Sequence, residues 1–248
     1  MTTPRLDWSV VIPAWNEAVR LPGYLKDVVA YFDGRDQPYE ILVVDDGSTD
    51  GTPERVREIS AGRWFIAVHA LGLNRGKGAA VRAGMRRTRG ALRLMTDADG
   101  ATPIREVERL EAAIRAGADV AVGSRVLPDP VVRRDTRLAR RLPGHVFNFL
   151  SHCLGVSEVV DTQCGFKLFR GPVAEDLFGR LRTDGFGFDV ELLLLAQRRR
   201  YRVAEVPINW VDQPGSKVGV LKDGPRMLLE IARARWRLAR DRKEERPW

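Results

Sequence analysis

Cysteine, histidine and long apolar runs are scarce in this chain of 248 residues. Two cysteines and three scattered histidines argue against a disulfide framework or a zinc site, so Cys153 and Cys164 are expected to be packing residues. No apolar run reaches the roughly eighteen residues of a spanning helix, and residues 1–7 lack a basic region followed by an apolar one. We therefore expect no spanning helix and no signal peptide, and we expect a cytoplasmic location.

Positive charge is abundant. The chain has 41 Lys and Arg against 33 Asp and Glu, a formal net charge of +8. Such a balance favours an acidic partner, which is nucleic acid, an anionic membrane or a phosphorylated substrate. Basic side chains are concentrated in two segments, 125–141, which contains six arginines, and 226–246. Charge alone does not choose among the three kinds of partner.

Short apolar runs alternate with helical patterns along the chain. The runs that predict buried strands are Trp8–Ile12, Ile41–Val44, Trp64–Val68, Leu92–Met95 and Val120–Val122. Apolar residues at helical spacing separate them, as in 21–32 and 107–114. This alternation predicts an α/β fold whose mostly parallel sheet is flanked by helices. We expect one domain over residues 1–220, followed by a C-terminal basic amphipathic helix and tail over 221–248.

Two aspartate-rich turns follow predicted strands. Asp97 and Asp99 come directly after one strand, and Asp45 ends another. Thr52 and Thr102 each precede a proline, which predicts that both threonines cap helices starting just after these turns. Ligands of open α/β sheets bind at the carboxyl ends of the strands, so both turns should face one crevice. Two carboxylates one residue apart are suited to one hard cation, which can bridge two phosphates.

A glycine-rich segment, Asn74–Ala79, is the third candidate binding element. Its glycines allow close backbone approach, and a helix that begins there would attract an anion. Lys77 is then placed to meet a phosphate, with a solvated lysine at a helix start as the alternative. The Gly-Lys-Ser/Thr ending of the nucleotide-hydrolase phosphate loop is missing.

Four motifs in order, Pro13–Glu17, Asp45–Thr52, Asn74–Ala79 and Asp97–Asp99, resemble family 2 glycosyltransferases with the GT-A fold, a Rossmann-like arrangement. The resemblance implies a nucleotide site containing Pro13, Glu17, Asp45, Lys77 and Asp97. It also implies a metal, Mg²⁺ or Mn²⁺, held by Asp99 and by Asp97, the latter directly or through water.

The second half resembles the polyprenyl-phosphate branch of that family. The segments that carry the likeness are Asp161–Phe169, Gly187–Glu191, Val206–Trp210 and Pro214–Lys217. Together with Asp99–Thr102 they are most similar to dolichyl-phosphate β-glucosyltransferases. The related mannosyl enzymes have Gln where this chain has Ala101, which weighs against a mannosyl assignment. Unlike many relatives, this sequence shows no amino-terminal membrane helix.

The resemblance implies inverting transfer of glucose from UDP-glucose to a polyprenyl phosphate. A lipid phosphate is already ionised and needs no general base, whereas a hydroxyl acceptor would need a carboxylate, with Asp161 and Asp189 as candidates. Asp99, Asp161 and Arg125 are the expected catalytic residues. Arginine forks suit phosphate oxygens, and the candidates for the acceptor phosphate are Arg125, Arg133, Arg134 and Arg137.

Residues 226–243 interleave apolar and basic side chains and include Trp236, as in helices that lie on anionic membranes. A peripheral position on the inner membrane face is therefore one expectation. A helix docked on its own domain, with a solvated basic face, is the other.

Other functions stay open at this point. The same donor chemistry could serve a soluble acceptor or use another sugar nucleotide. A sugar nucleotidyltransferase would usually have a glycine-rich loop with arginine after the first strand, where this chain has Pro13–Glu17. A nucleic-acid module fits the charge, but no stacking platform or recognition motif accompanies the basic residues, so no nucleic acid is expected.

Overall fold

A computed structural model describes residues 6–132, 134–135, 159–214 and 220–244, with only the backbone described for 134–135, 220–223 and 241–244. Its strands are β1 Trp8–Ala14, β2 Tyr39–Asp45, β3 Ile66–Ala70, β4 Leu92–Met95, β5 Val120–Ser124, β6 Arg134–Asp135, β7 Lys167–Arg170, β8 Val203–Pro207 and β9 Trp210–Val211. Its α-helices are α1 Leu21–Asp33, α2 Thr52–Ser60, α3 Lys77–Met85, α4 Val107–Arg115, α5 Gly171–Arg180, α6 Phe188–Arg198 and α7 Val220–Glu244.

Seven strands form one sheet in the order β3-β2-β1-β4-β7-β5-β8, and β6 pairs with β9 in a small second sheet. Every pair in the large sheet is parallel except the two that involve β7, which runs antiparallel between β4 and β5. The prediction of a mostly parallel α/β sheet is confirmed. The strand predicted at Trp64–Val68 was misplaced: β3 begins at Ile66, and Trp64 is 79% exposed before it.

Helices cover both faces of the sheet, because successive residues of a strand point to opposite sides. In β1, Val10 and Ile12 pack in one core cluster with α1, α2 and α4, whereas Val11 packs in a second cluster with α3, α5, α6 and α7. A strand with apolar neighbours on both faces reads as a continuous apolar run, which is the pattern of Trp8–Ala14.

The two predicted threonine caps were wrong. Helix α2 begins at Thr52 itself, its N-cap is Gly51, and the Asp50 carboxylate accepts the Thr52 N–H at 3.0 Å. After Thr102 the chain enters a short 3-10 turn, Ile104–Glu106, whose N-cap is Pro103 and has no side-chain cap. Pro53 lies in the first turn of α2, where the Asp50 carboxylate rather than a threonine accepts a free N–H, whereas Pro103 stands just before the 3-10 turn.

Helix α7 packs its apolar stripe on the domain. Met227, Ile231 and Ala234 are buried, and Ile231 belongs to the same cluster as α6. In the parts of the chain that the structure describes, no helix is long and apolar enough to cross a membrane.

Candidate active site

The polar residues of interest meet at the carboxyl edge of the large sheet. Strands β1, β2, β4 and β5 all end there, whereas β7 starts there because it runs the opposite way. The reversed direction of β7 brings the segment that precedes it, 161–166, beside the turns that follow β4 and β5. A pocket opens at this edge, lined by Thr96, Asp97, Asp99, Ala101, Thr102, Arg125, Cys164, Gly165 and Trp210.

Asp97 lies between a cation and a glycine. Its Oδ1 is 2.6 Å from the Lys77 Nζ, and a Cβ built on Gly165 would overlap its carboxylate. Burial opposes ionisation of Asp97, but Lys77, Lys167 and Arg125 outweigh it and hold the pKa of this carboxyl below its usual value. The Asp97 carboxylate is therefore ionised and held in place at neutral pH.

Asp99 has a different environment one residue further on. Its Oδ1 accepts the Ala101 N–H at 3.1 Å, and its Oδ2 lies 3.8 Å from Arg20. Burial and the nearby Asp97 charge raise the pKa of Asp99 above its usual value. A divalent cation would relieve this repulsion, and carboxylate oxygens are ligands that Mg²⁺ and Mn²⁺ accept. Among the described residues no group of three or more His, Cys, Asp or Glu is arranged to hold a metal ion, so Asp97 and Asp99 are the two carboxylates that the pocket offers.

Arg125 also lines the pocket and is held in place by the buried Asp161. The Arg125 Nε and Nη2 each donate to one Asp161 oxygen at 2.8 Å, and the Arg125 backbone N–H donates to Oδ2 at 2.8 Å. Glu205 accepts the Asp161 backbone N–H at 2.8 Å. Burial opposes the Asp161 charge, but Arg125 holds its pKa below the usual value. The Arg125 guanidinium also lies 5.7 Å from the Trp210 ring centroid, so it has a fixed orientation at the pocket wall.

Another ion pair, Lys167–Asp189, is buried next to the pocket residue Cys164. Lys167, fully buried at the start of β7, donates to Asp189 of α6 and to the Cys164 carbonyl at 2.5 Å. Burial raises the pKa of Asp189, an effect that Lys167 and Lys77 only partly offset. Burial also raises the pKa of the Cys164 thiol to about 12, so this cysteine stays neutral as packing. Cys153 lies outside the described residues.

Two carboxylates at the end of β2 hold the neighbouring loops. Asp45 is buried and accepts the Ser48 N–H at 3.3 Å. Its neighbour Asp46 accepts the N–H groups of Arg75 and Gly76 at 2.8 and 2.9 Å, which anchors the Asn74–Ala79 loop. Lys77 is thereby presented at the first residue of α3.

Glu17 is connected to the pocket through Arg20. The Arg20 guanidinium donates to both Glu17 oxygens and extends toward Asp99, while Pro13 lies inside β1 opposite Val44. The structure thus brings Asp97, Asp99 and Arg125 to one pocket, with Lys77 and Asp161 bound to two of them. Pro13 and Asp45 lie on the neighbouring strands β1 and β2, and Glu17 lies in the loop after β1.

Sequence reasoning missed three residues of the site: Arg20, Lys167 and Trp210. The spacing of Glu17 and Arg20, three apart, was the one local signal. Two of the predicted acceptor-phosphate arginines, Arg133 and Arg137, lie outside the described residues. Only the backbone of Arg134 is described; it pairs with Trp210 in the small sheet.

The chain matches the family model described as glycosyl transferase family 2 over residues 9–178. It is 36% identical to a dolichyl-phosphate β-glucosyltransferase of Drosophila melanogaster over 98% of this chain and 81% of the relative. It is also 36% identical to the protein of that name from Saccharomyces cerevisiae, over 90% of this chain and 72% of the relative.

Two solved structures share the fold. Mannosyl-3-phosphoglycerate synthase from Rubrobacter xylanophilus has a TM-score of 0.70 at 20% identity, over 98% of this chain and 77% of the other. Glucosyl-3-phosphoglycerate synthase from Mycobacterium tuberculosis, in complex with Mn²⁺, UDP and glucosyl-3-phosphoglycerate, has a TM-score of 0.68 at 19% identity, over 92% and 78%. The chain therefore belongs to glycosyl transferase family 2 and is a glycosyltransferase.

Proposed function

We propose that this protein transfers glucose from UDP-glucose to a polyprenyl phosphate with the help of Mg²⁺ or Mn²⁺. Relatives at 36% identity are glucosyltransferases whose names state dolichyl phosphate as acceptor. The observation that carries the proposal is the pocket itself, which is lined both by the Asp97–Asp99 carboxylates and by an Arg125 guanidinium that Asp161 holds in place. The carboxylates suit a cation with a diphosphate, and the guanidinium suits an anionic acceptor.

The donor half of the proposal uses the residues at the ends of β1, β2 and β4. Asp45 would accept hydrogen bonds from the uracil or ribose edge, with Pro13 and Glu17 beside it. Lys77 stands at the start of α3, where the helix amino end also favours a phosphate. Asp97 and Asp99 would hold the metal, whose charge, when it is bound, offsets the negative charge that develops on the leaving diphosphate.

The acceptor half depends on Arg125. A phosphate monoester is ionised near neutral pH, so its oxygen can attack the anomeric carbon without a general base. Asp161 is then better suited to positioning than to proton transfer, since both of its oxygens accept from Arg125. Among the described residues the remaining Arg125 nitrogen, Nη1, has no hydrogen-bond acceptor, and it would donate to the acceptor phosphate. Arg133, Arg134 and Arg137 stay proposed contributors to the same contact.

Substitution of Asp99 tests the metal and donor assignment. We expect Asp99→Ala to abolish turnover and to weaken UDP-glucose binding only in part, because Asp45 and Lys77 are untouched. Calorimetry with UDP-glucose and GDP-mannose, with and without Mn²⁺, measures the binding, and we expect UDP-glucose to bind better. Asp7→Ala, at a half-buried position next to β1, serves as the control. Full activity of Asp99→Ala would refute the metal site.

The acceptor is tested separately with a panel of prenyl phosphates and soluble acceptors such as 3-phosphoglycerate. Turnover on 3-phosphoglycerate but on no prenyl phosphate would replace the lipid acceptor with a soluble one. Release of pyrophosphate from a nucleoside triphosphate and a sugar phosphate would instead identify a sugar nucleotidyltransferase.

A further inference from the structure

The outward face of α7 combines basic side chains with exposed large apolar ones. Between residues 226 and 240 the helix carries five arginines and one acidic residue, Glu230. Exposed side chains recur at heptad-like spacing and form what we term the outer stripe: Arg226, Leu229, Arg233, Trp236 and Arg240. Leu229 is 51% and Trp236 63% exposed, so two large apolar groups stand among three cations.

The lone acidic residue pairs with one arginine of this face: the Arg226 Nε donates to the Glu230 Oε1 at 3.3 Å, whereas Glu230 has no such contact with Arg233 or Arg240 among the described residues. Glu230 is turned toward the domain, where its Oε2 accepts the Gly187 N–H at 3.0 Å, and its side chain is only 15% exposed. Met227, Ile231 and Ala234 fill the rest of the inward face. Since the apolar residues of the inward face are already buried against α6, Leu229 and Trp236 are not needed for folding of the helix onto the domain.

The inward face also connects α7 to the pocket through the loop 183–187. Beyond the Glu230 bond to Gly187, the Asp184 carbonyl accepts the Ala79 N–H of α3 at 3.1 Å. The Phe186 carbonyl accepts from the Gln163 side chain at 3.3 Å, next to Cys164 of the pocket wall. The helix that carries the outer stripe therefore contacts the loop 183–187, and this loop in turn contacts α3 and the segment that contains Cys164.

We propose that the outer stripe of α7 docks on the anionic surface of a lipid bilayer and holds the pocket close to a lipid-borne acceptor phosphate. The argument is charge complementarity together with an interfacial tryptophan. Arginines attract anionic headgroups, and a tryptophan ring is favoured at the boundary between headgroups and acyl chains. The role in acceptor delivery rests on the proposed function, whereas the docking itself does not.

Two variants of the outer stripe test the docking. We expect Arg226→Gln/Arg233→Gln/Arg240→Gln to weaken binding to phosphatidylcholine vesicles that contain phosphatidylglycerol by roughly 10- to 100-fold, measured by co-sedimentation. Trp236→Ser should weaken it as well, and pure phosphatidylcholine vesicles should bind poorly in every case. Glutamine retains good helix propensity, and circular dichroism checks that each variant is folded.

Matched controls distinguish an effect of the outer stripe on vesicle binding from an effect of net charge alone. Arg86→Gln/Arg87→Gln/Arg89→Gln removes the same charge from exposed residues at the end of α3, and Trp64→Ser removes another exposed tryptophan. Both controls should bind vesicles within about threefold of the parent. Equal losses in the two triple variants, or unchanged binding by the outer-stripe triple, would overturn the proposal. Tighter binding to polyuridylic acid than to the vesicles at equal ionic strength would do so too.

Activity on two forms of acceptor distinguishes this proposal from the proposed function. The outer-stripe triple should lose turnover on polyprenyl phosphate in anionic vesicles and keep parental turnover on a short, water-soluble prenyl phosphate. Equal turnover of parent and triple on the vesicle acceptor would refute the delivery role. If the parent binds vesicles through α7 yet uses neither prenyl phosphate, the proposed function fails and the docking surface stands.

Discussion

Gly165 determines how closely the backbone can approach the Asp97 carboxylate. Any side chain at position 165 would overlap that carboxylate, which also holds Lys77 at 2.6 Å. We expect Gly165→Ala to displace Asp97 and lower kcat by about 100-fold or more, as misplacement of a reacting group by about 1 Å does. Steady-state kinetics measure this change.

A matched control for that substitution lies in α5. A Cβ on Gly179 would meet nothing within 4 Å, so Gly179→Ala should leave kcat unchanged and stabilise the helix by about 0.5–1 kcal/mol. Parental kcat in Gly165→Ala would contradict the close-approach argument.

At the same scale, sequence reasoning recognised the site residues that lie in turns at strand ends. It missed the site residues that other segments of the chain bring next to those turns. Asp97 and Asp99 were visible because a buried strand and a glycine flank them. Arg20 directly precedes helix α1 and Lys167 begins strand β7, so their approaches to Asp99 and Asp189 depend on how distant elements pack. No local pattern marks a buried lysine as part of a site.

At the scale of elements, the Arg125–Asp161 contact joins the end of β5 to the segment before β7. Asp161 is fully buried, and its pKa is held below the usual value by Arg125. We expect Asp161→Asn to lower the free energy of unfolding at pH 7 by about 1.5–3 kcal/mol, the worth of hydrogen bonds to a charged partner. Urea denaturation measures the loss.

The same contact predicts a pH dependence. Because the folded pKa of Asp161 is depressed, its stabilisation is complete above the unfolded carboxyl pKa of about 3.9 and is lost as pH falls through the lower folded value. The gap between parent and Asp161→Asn should therefore shrink below about pH 4. Glu58→Gln, at an exposed ion pair, should change stability by less than about 1 kcal/mol. A gap that widens with acidification would contradict this account.

At the scale of the whole molecule, helix α7 contributes a buried residue to the core. Ile231 is fully buried in the cluster that also contains α3, α5 and α6. We expect Ile231→Ala to cost about 2–4 kcal/mol of unfolding free energy, whereas Leu229→Ala, at an exposed position, should cost about 0.5 kcal/mol or less. Urea denaturation of both variants measures the difference.

Equal, small losses in these two variants would favour the predicted division into a domain of residues 1–220 and a separate helix and tail of 221–248. A large loss at Ile231 alone would mean that removal of α7 damages the domain. In that case the substitutions on its outer stripe are the cleaner test of lipid binding.

The sequence by itself determined the alternation of strands and helices, the Asp97–Asp99 turn, the glycine loop that carries Lys77 and the family. Each of these follows from a pattern in contiguous residues, either apolar periodicity or a short polar motif at a strand end. Tertiary structure alone decided that β7 runs antiparallel between β4 and β5, which brings 161–166 to the pocket. It also decided that Asp161 is bound to Arg125 and that α7 faces its own core. Those outcomes depend on which segments, far apart in the sequence, bury their surfaces against each other. No local pattern in the sequence specifies that packing.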